Sequence, residues 1–157
     1  MATPLTRIDH VGIAVTDLES AVKRYTETFG LRLVATETNT EQGVREAMLA
    51  LSDELLDGIV GPDAALPGAL PASYVQLLEP LDDDTPVGRF LSRRGEGLHH
   101  VGYAVTDVHA ALESLAAQGV SLVDSRPRHG SLGASIAFVH PRDLFGVLTE
   151  LVEAARS

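Results

Sequence analysis

Two histidines, His10 and His100, occupy the same point of a stretch that the chain contains twice. Residues 10–17 read HVGIAVTD and residues 100–107 read HVGYAVTD, differing only at Ile13 and Tyr103. A repeat of this kind marks a duplicated structural unit. Two copies related by a pseudo-two-fold axis would bring both imidazoles into one shared cleft. Aligning the ends of the units yields a second pair. Tyr74-Val75-Gln76-Leu77-Leu78-Glu79 lies over Leu148-Thr149-Glu150-Leu151-Val152-Glu153, so Gln76 takes the place of Glu150. A polar side chain on an otherwise apolar strand face needs a partner. Two imidazoles, an amide and a carboxylate form an N/O donor set that suits Co²⁺, Mn²⁺, Zn²⁺ or Ni²⁺ and leaves coordination positions for water or substrate.

A lone histidine on a strand is more often structural than a ligand. Two at equivalent points of a repeat, each with a matching amide or carboxylate, reverse that balance. His99 competes with His100, but strand parity and the repeat both select His100. His109, His129 and His140 have no repeat partner and read as surface or structural. Glu79 and Glu153 point away from the ligand face and read as structural. Glu46 shares a strand face with Met48 and Ala50. By itself it reads as a solvated strand charge; against apolar neighbours it is also a candidate base.

The elements that must position these groups follow from periodicity. Residues 6–15 alternate and are rich in β-branched side chains, which predicts a strand. Ile8, His10, Gly12 and Ala14 share one face; Val11, Ile13 and Val15 form the bulkier face that should meet a helix. Thr16 with Glu19 reads as a capping box, and Leu18, Ala21, Val22, Tyr25 and Phe29 fall at helical spacing up to Gly30. Strands are expected at 31–37, 44–51 and 73–79, with a turn at 39–43. Residues 53–72 read as a surface loop with a helical turn at 53–57. A connector helix starts with Pro86 at its first position, runs to Arg94 and ends at Gly95. The second unit repeats the plan: strand 98–105, helix 107–118, then strands 120–124, 134–140 and 146–152, with a loop at 125–133. Each unit reads β-α-β-β-β, and the fold class is α+β. Module one spans about 6–80 and module two about 97–153 of a single domain, 1–157.

The totals exclude whole classes. With 157 residues and a formal charge of −10, the chain lacks the basic footprint of a nucleic-acid or anionic-membrane partner. An anionic small substrate would need a local charge unlike the global one. There is no cysteine, so disulfide and thiolate chemistry are absent. No apolar run approaches the length of a bilayer span, and the opening residues lack a signal-peptide pattern. A soluble cytoplasmic protein is expected.

The paired βαβββ plan resembles the vicinal oxygen chelate superfamily, which includes glyoxalases, extradiol dioxygenases and drug-binding resistance proteins. Within it the chain resembles methylmalonyl-CoA epimerases. The matching stretches in module one are RIDHVG at 7–12, EQGVREAM at 41–48 and YVQLLEP at 74–80. In module two they are GLHH at 97–100, FVHP at 138–141 and GVLTEL at 146–151. The resemblance covers nearly the whole chain outside 53–72, and 41–48 is its most specific part. It implies a divalent metal, Co²⁺ first, on His10, Gln76, His100 and Glu150, and Glu46 as the base. The second-face acid or base is unassigned, with Glu150 as the candidate. It further implies a coenzyme A thioester substrate and a homodimer. Ser135 stands where family members often carry a basic residue. Two alternatives share the fold: a glyoxalase-type lyase acting on a glutathione adduct, which has no need of 41–48, and a non-enzymatic binding module, which has no need of four ligands.

Overall fold

Strands β1 (Arg7–Ala14) and β5 (Gly97–Ala104) open the two modules and pair antiparallel with each other. Everything else is arranged around that seam. The computed structural model describes residues 2–51 and 73–156. The expected loop at 53–72 lies outside the described residues. On the module-one side follow α1 (Leu18–Phe29), β2 (Arg32–Asn39), β3 (Val44–Ala50) and β4 (Tyr74–Pro80). The connector is α2 (Pro86–Arg94). Module two continues with α3 (Val108–Ala117), β6 (Arg128–His129), β7 (Ser135–Val139) and β8 (Thr149–Glu153). The eight strands form one sheet in the order β2-β3-β4-β1-β5-β8-β7-β6, palindromic about the β1–β5 seam. No helix among the described residues is long and apolar enough to cross a membrane.

Period-two alternation divides the sheet into two faces. The convex face carries α1 over Val15, Ala47, Leu49 and Leu77. It also carries α3 over Val105, Ala137, Val139 and Leu151. Glu79 and Glu153 work at equivalent points there. Glu79 Oε2 accepts from Leu18 N at 2.7 Å and Glu153 Oε2 from Val108 N at 2.9 Å, each satisfying a free amide at a helix start. The concave face carries the chemistry-bearing rows. The sheet curls until its edges meet. Asn39 Nδ2 and Gln42 Nε2 both donate to the carbonyl of His129, and Leu132 N donates to Glu37 Oε1.

Four local expectations are corrected. The α1 cap is Asp17, whose Oδ1 accepts from Ser20 N at 3.0 Å; Thr16 donates instead to Glu96, and Glu19 pairs with Arg45. Residues 120–124 form no strand. Leu122 makes a single bridge to Val139, because Val120 and Leu122 are drawn under α3 as core. The edge strand of module two is the two-residue β6, inside the segment expected as loop. Ile8 leaves the His10 face and is 55% exposed. Register shifts in the β1–β5 pairing fall between Ile8 and His10 on one strand and across Leu98–His100 on the other. Such bulges insert one residue and re-aim its side chain. They turn Asp9 and His99, the residues before the two repeated histidines, toward those imidazoles.

The seam also explains the glycine two places after each histidine. Gly12 pairs with His100 and Gly102 with His10. A Cβ on Gly12 would stand 2.1 Å from His100 Cε1, and one on Gly102 would stand 2.3 Å from His10 Cε1. Each imidazole therefore lies across the other strand's glycine, and the two rings meet edge to face at 5.0 Å. Gly12→Ala should destabilise the fold by about 1–3 kcal/mol through overpacking and displace His100. Urea unfolding checks the first effect, and the His100 imidazole resonances check the second.

Candidate active site

The curled sheet encloses a cavity, and three of its strands share one pattern, a polar side chain among apolar ones. On β3 the inward row is Met48, Glu46, Val44; on β4 it is Tyr74, Gln76, Leu78; on β8 it is Val152 and Glu150, with Leu148 just before the strand. Met48, Tyr74, Ile136 and Val152 line an inner cavity of about 230 Å³ together with His10, Glu150 and Ser131. At the other end α2 lays Val87, Phe90 and Leu91 over Ala14, Val44 and Leu78. His10, Glu46, Gln76, His100 and Glu150 are all buried.

Three of the four residues marked by the repeat converge, and the fourth, Gln76, bonds to Glu46 beside them. His10 Nε2 and His100 Nε2 are 2.9 Å apart. Glu150 Oε2 is 3.1 Å from His100 Nε2, and its Oε1 is 3.7 Å from His10 Nε2. Gln76 donates through Nε2 to Glu46 Oε2 at 2.9 Å and Ser131 Oγ at 2.8 Å. Its carbonyl oxygen is buried with no partner, and such an orphaned acceptor calls for a ligand. Neighbouring donors around a six-coordinate ion with bonds of about 2.1 Å stand roughly 3 Å apart. His10, His100 and Glu150 match that spacing, and the unpartnered Gln76 oxygen is a candidate fourth donor. The residues fit a divalent cation.

The bulge residues set the tautomers. His10 Nδ1 donates to Asp9 Oδ2 at 2.8 Å, and Asp9 is itself held by Arg7 at 2.8 Å. His100 Nδ1 lies 3.0 Å from His99 Nδ1. Burial pushes the His99 pKa down to about 4, so its neutral ring can accept from His100 Nδ1–H. Both Nε2 lone pairs then face the cluster, the arrangement that outer partners impose on ligating imidazoles. Burial alone would lower the His10 pKa, but Asp9 and the Glu150 and Glu46 carboxylates outweigh it and raise it. Strand parity selects His100 over His99 as the residue opposite His10. The structure places His99 against the cluster, between His100 and Phe90 of α2, while His100 remains the residue facing His10.

Glu46 is 2% exposed, so the solvated-charge reading is excluded. Burial raises its pKa, opposed by its bond from Ser131. Ser131 is the site residue that the sequence does not reveal, having no repeat partner. Its hydroxyl donates to Glu46 Oε1. It is aimed by a short 3₁₀ turn in which Leu132 takes the left-handed conformation, φ 56°, a strained geometry for a branched residue. His109 and His129 lie on the surface, and His140 Nδ1 caps a turn at Arg142 N.

The chain matches the Glyoxalase/Bleomycin resistance protein/Dioxygenase superfamily over residues 9–138 and belongs to that family. Methylmalonyl-CoA epimerase from Streptomyces coelicolor, solved as a variant in complex with 2-nitronate-propionyl-CoA, is 44% identical with a TM-score of 0.84, covering 98% of this chain and 100% of its own. The methylmalonyl-CoA epimerase structure from Mycobacterium tuberculosis is 39% identical with a TM-score of 0.82, covering 99% and 93%. An ethylmalonyl-CoA/methylmalonyl-CoA epimerase from Cereibacter sphaeroides is 32% identical over 92% of this chain and 96% of its own.

If Asp9 orients His10, Asp9→Asn should fold but bind Co²⁺ about 10–100-fold more weakly. Calorimetric titration measures it, with His100→Ala as the variant that loses the ion altogether.

Proposed function

We propose that the chain is an isomerase that interconverts (2R)- and (2S)-methylmalonyl-CoA. One observation carries the reading: a buried carboxylate, Glu46, is hydrogen-bonded to Gln76, whose other amide atom is free to ligate, so base and cation site share one side chain. The similarity to epimerases over nearly the full chain supports it.

Epimerisation at the carbon between a carboxylate and a thioester removes a weakly acidic C–H proton, and negative charge grows on the thioester oxygen. A divalent cation on His10, Gln76, His100 and Glu150, Co²⁺ by preference, would supply Lewis-acid stabilisation of that charge, worth several kcal/mol. Glu46 takes the proton as general base. Burial lifts its pKa toward working pH, which favours proton transfer in both directions. Ser131 holds Glu46 Oε1 and Gln76 holds Oε2, fixing the direction in which the base points. Met48, Tyr74, Ile136 and Val152 exclude water around the acidic carbon. Glu150 stands on the opposite wall and is assigned the second face of that carbon.

Glu46→Gln should fold and retain the cation, while turnover falls about 10²–10⁴-fold. Deuterium exchange at C2 from D₂O, followed separately for each epimer, is the test; exchange and inversion both near the parent rate sink the proposal.

The same variant makes a stability prediction. The folded pKa of Glu46 is raised. Its contribution to stability is therefore complete below the unfolded pKa and is lost as pH rises through the folded one. Glu46→Gln stays neutral. It should melt above the parent in neutral and mildly alkaline buffer, with the gap closing in acid, as scanning calorimetry across pH will show.

A further inference from the structure

The terminal strands of the sheet, β2 and β6, share no ladder among the described residues, yet the curled sheet closes. Side chains from β2 and its turn close it. Ala35, Glu37 and Asn39 are the half-buried row of β2, with Thr36 and Thr38 exposed between them. Asn39 Oδ1 accepts from Gln42 N at 3.0 Å, which fixes the amide whose Nδ2 donates to the His129 carbonyl at 3.2 Å. Gln42 Nε2 donates to the same carbonyl at 3.2 Å. Gln42 belongs to the stretch 41–48, of which the proposed reaction uses Glu46 alone.

Glu37 is out of place by ordinary sheet chemistry. In the β2–β3 register it stands directly opposite Glu46, and like charges at opposed positions destabilise a sheet. Its partner comes from the other module. Consecutive residues of one turn answer the two carboxylates: Ser131 Oγ donates to Glu46 Oε1, and Leu132 N donates to Glu37 Oε1 at 3.2 Å. The turn is tied within itself, Gly130 N to the Ala134 carbonyl at 2.9 Å and Ala134 N to the Ser131 carbonyl at 3.1 Å. Its pairing to the rest of module two is short, two residue pairs between β6 and β7. Besides the bonds of Ser131 to Glu46 and Gln76, the hydrogen bonds that tie residues 129–132 to module one are those of Glu37, Asn39 and Gln42, among the described residues.

We propose that Glu37 is a positioning residue for the base: with Asn39 and Gln42 it clasps the two edges of the sheet and so holds Ser131 against Glu46. The inference rests on the reading of Glu46 as base and deepens it. A hydroxyl directs a carboxylate only if the backbone that carries it is fixed, and the backbone here is the strained turn at Leu132, φ 56°. The same turn forms a wall of the inner cavity through Ser131, Leu132 and Ala134. Releasing the clasp therefore moves the group that aims the base, and a misplacement of about 1 Å costs on the order of a hundredfold in rate.

The test measures kcat and KM for methylmalonyl-CoA and the Kd of Co²⁺ in the parent and a set of variants. Nuclear magnetic resonance of the Zn²⁺-loaded protein follows the Leu132 amide exchange rate and the Glu46 carboxyl ¹³C resonance. Glu37→Ala should lower kcat about ten- to a hundredfold, leave KM and the Co²⁺ Kd unchanged, speed Leu132 exchange and shift the Glu46 resonance. Glu37→Gln keeps an acceptor oxygen and should restore all four toward the parent. Asn39→Ala/Gln42→Ala should lower kcat in the same direction, and it carries the comparison if Glu37→Ala does not fold. Thr38→Ala, on the exposed face of the same strand, should be parent-like. If Glu37 acts through Ser131, Ser131→Ala/Glu37→Ala should stay within about threefold of Ser131→Ala alone. Parent-like kcat in Glu37→Ala, or losses that multiply in the double variant, overturn the clasp and leave the epimerase reading intact. A parent that does not epimerise methylmalonyl-CoA overturns the epimerase reading; a Glu46 resonance shift shared by Ser131→Ala and Glu37→Ala then upholds the clasp, and its absence overturns that too.

Discussion

The reciprocal seating of each repeated histidine on the other strand's glycine is the constraint on which the structure depends. His10 lies over Gly102 and His100 over Gly12, with no room for a Cβ at either position. This contact joins the two modules, brings two imidazole nitrogens to 2.9 Å and sets the floor of the cleft. A histidine needs depth beside a sheet, and only glycine on the neighbouring strand provides it at this distance. The sequence unit His-Val-Gly is therefore one device used twice. The histidine supplies a donor, the valine keeps strand propensity, and the glycine receives the other copy's ring.

Burying so many polar groups is costly unless each is satisfied. The fold does this by chaining them. Arg7 holds Asp9, Asp9 holds His10, and Ser131 and Gln76 hold the two oxygens of Glu46. The acceptor left over is Gln76 Oε1. Together with the two Nε2 lone pairs and the Glu150 carboxylate, that atom belongs to the set a cation would complete. The apolar rows above and below raise the Glu46 pKa by desolvation, so the same burial that isolates the site also tunes its base.

Charge is distributed unevenly. The chain is acidic overall, with Glu79 and Glu153 engaged at helix starts and Asp9 and Glu150 lining the inner cavity. Arginines accumulate on one face of the connector helix, where the last-turn position of Arg93 and Arg94 also favours them electrostatically. The connector belongs to neither repeat, and its place across one end of the cleft breaks the pseudo-symmetry. That asymmetry gives the two ends of a duplicated fold different chemistry.

Much of this was legible in the sequence. An eight-residue repeat fixed the duplication, alternation fixed the faces, and the alignment of final strands paired Gln76 with Glu150. These features survive folding because a strand's period of two assigns side chains to faces without knowledge of the neighbours. Glu46 was marked by its apolar row and by family resemblance, yet its burial depends on the opposing wall. Tertiary structure decided what crosses between strands and modules. The bulges that turn Asp9 and His99 inward come from β1–β5 register, which no local pattern encodes. The displacement of the edge strand from 120–124 to 128–129 followed from packing under α3. Ser131 reaches Glu46 only because the far edge of the sheet curls back onto the first module, 85 residues away in sequence. Periodicity reports the face a residue belongs to, whereas contact between distant faces is set by sheet curvature, register and loop geometry, which exist only in the folded chain.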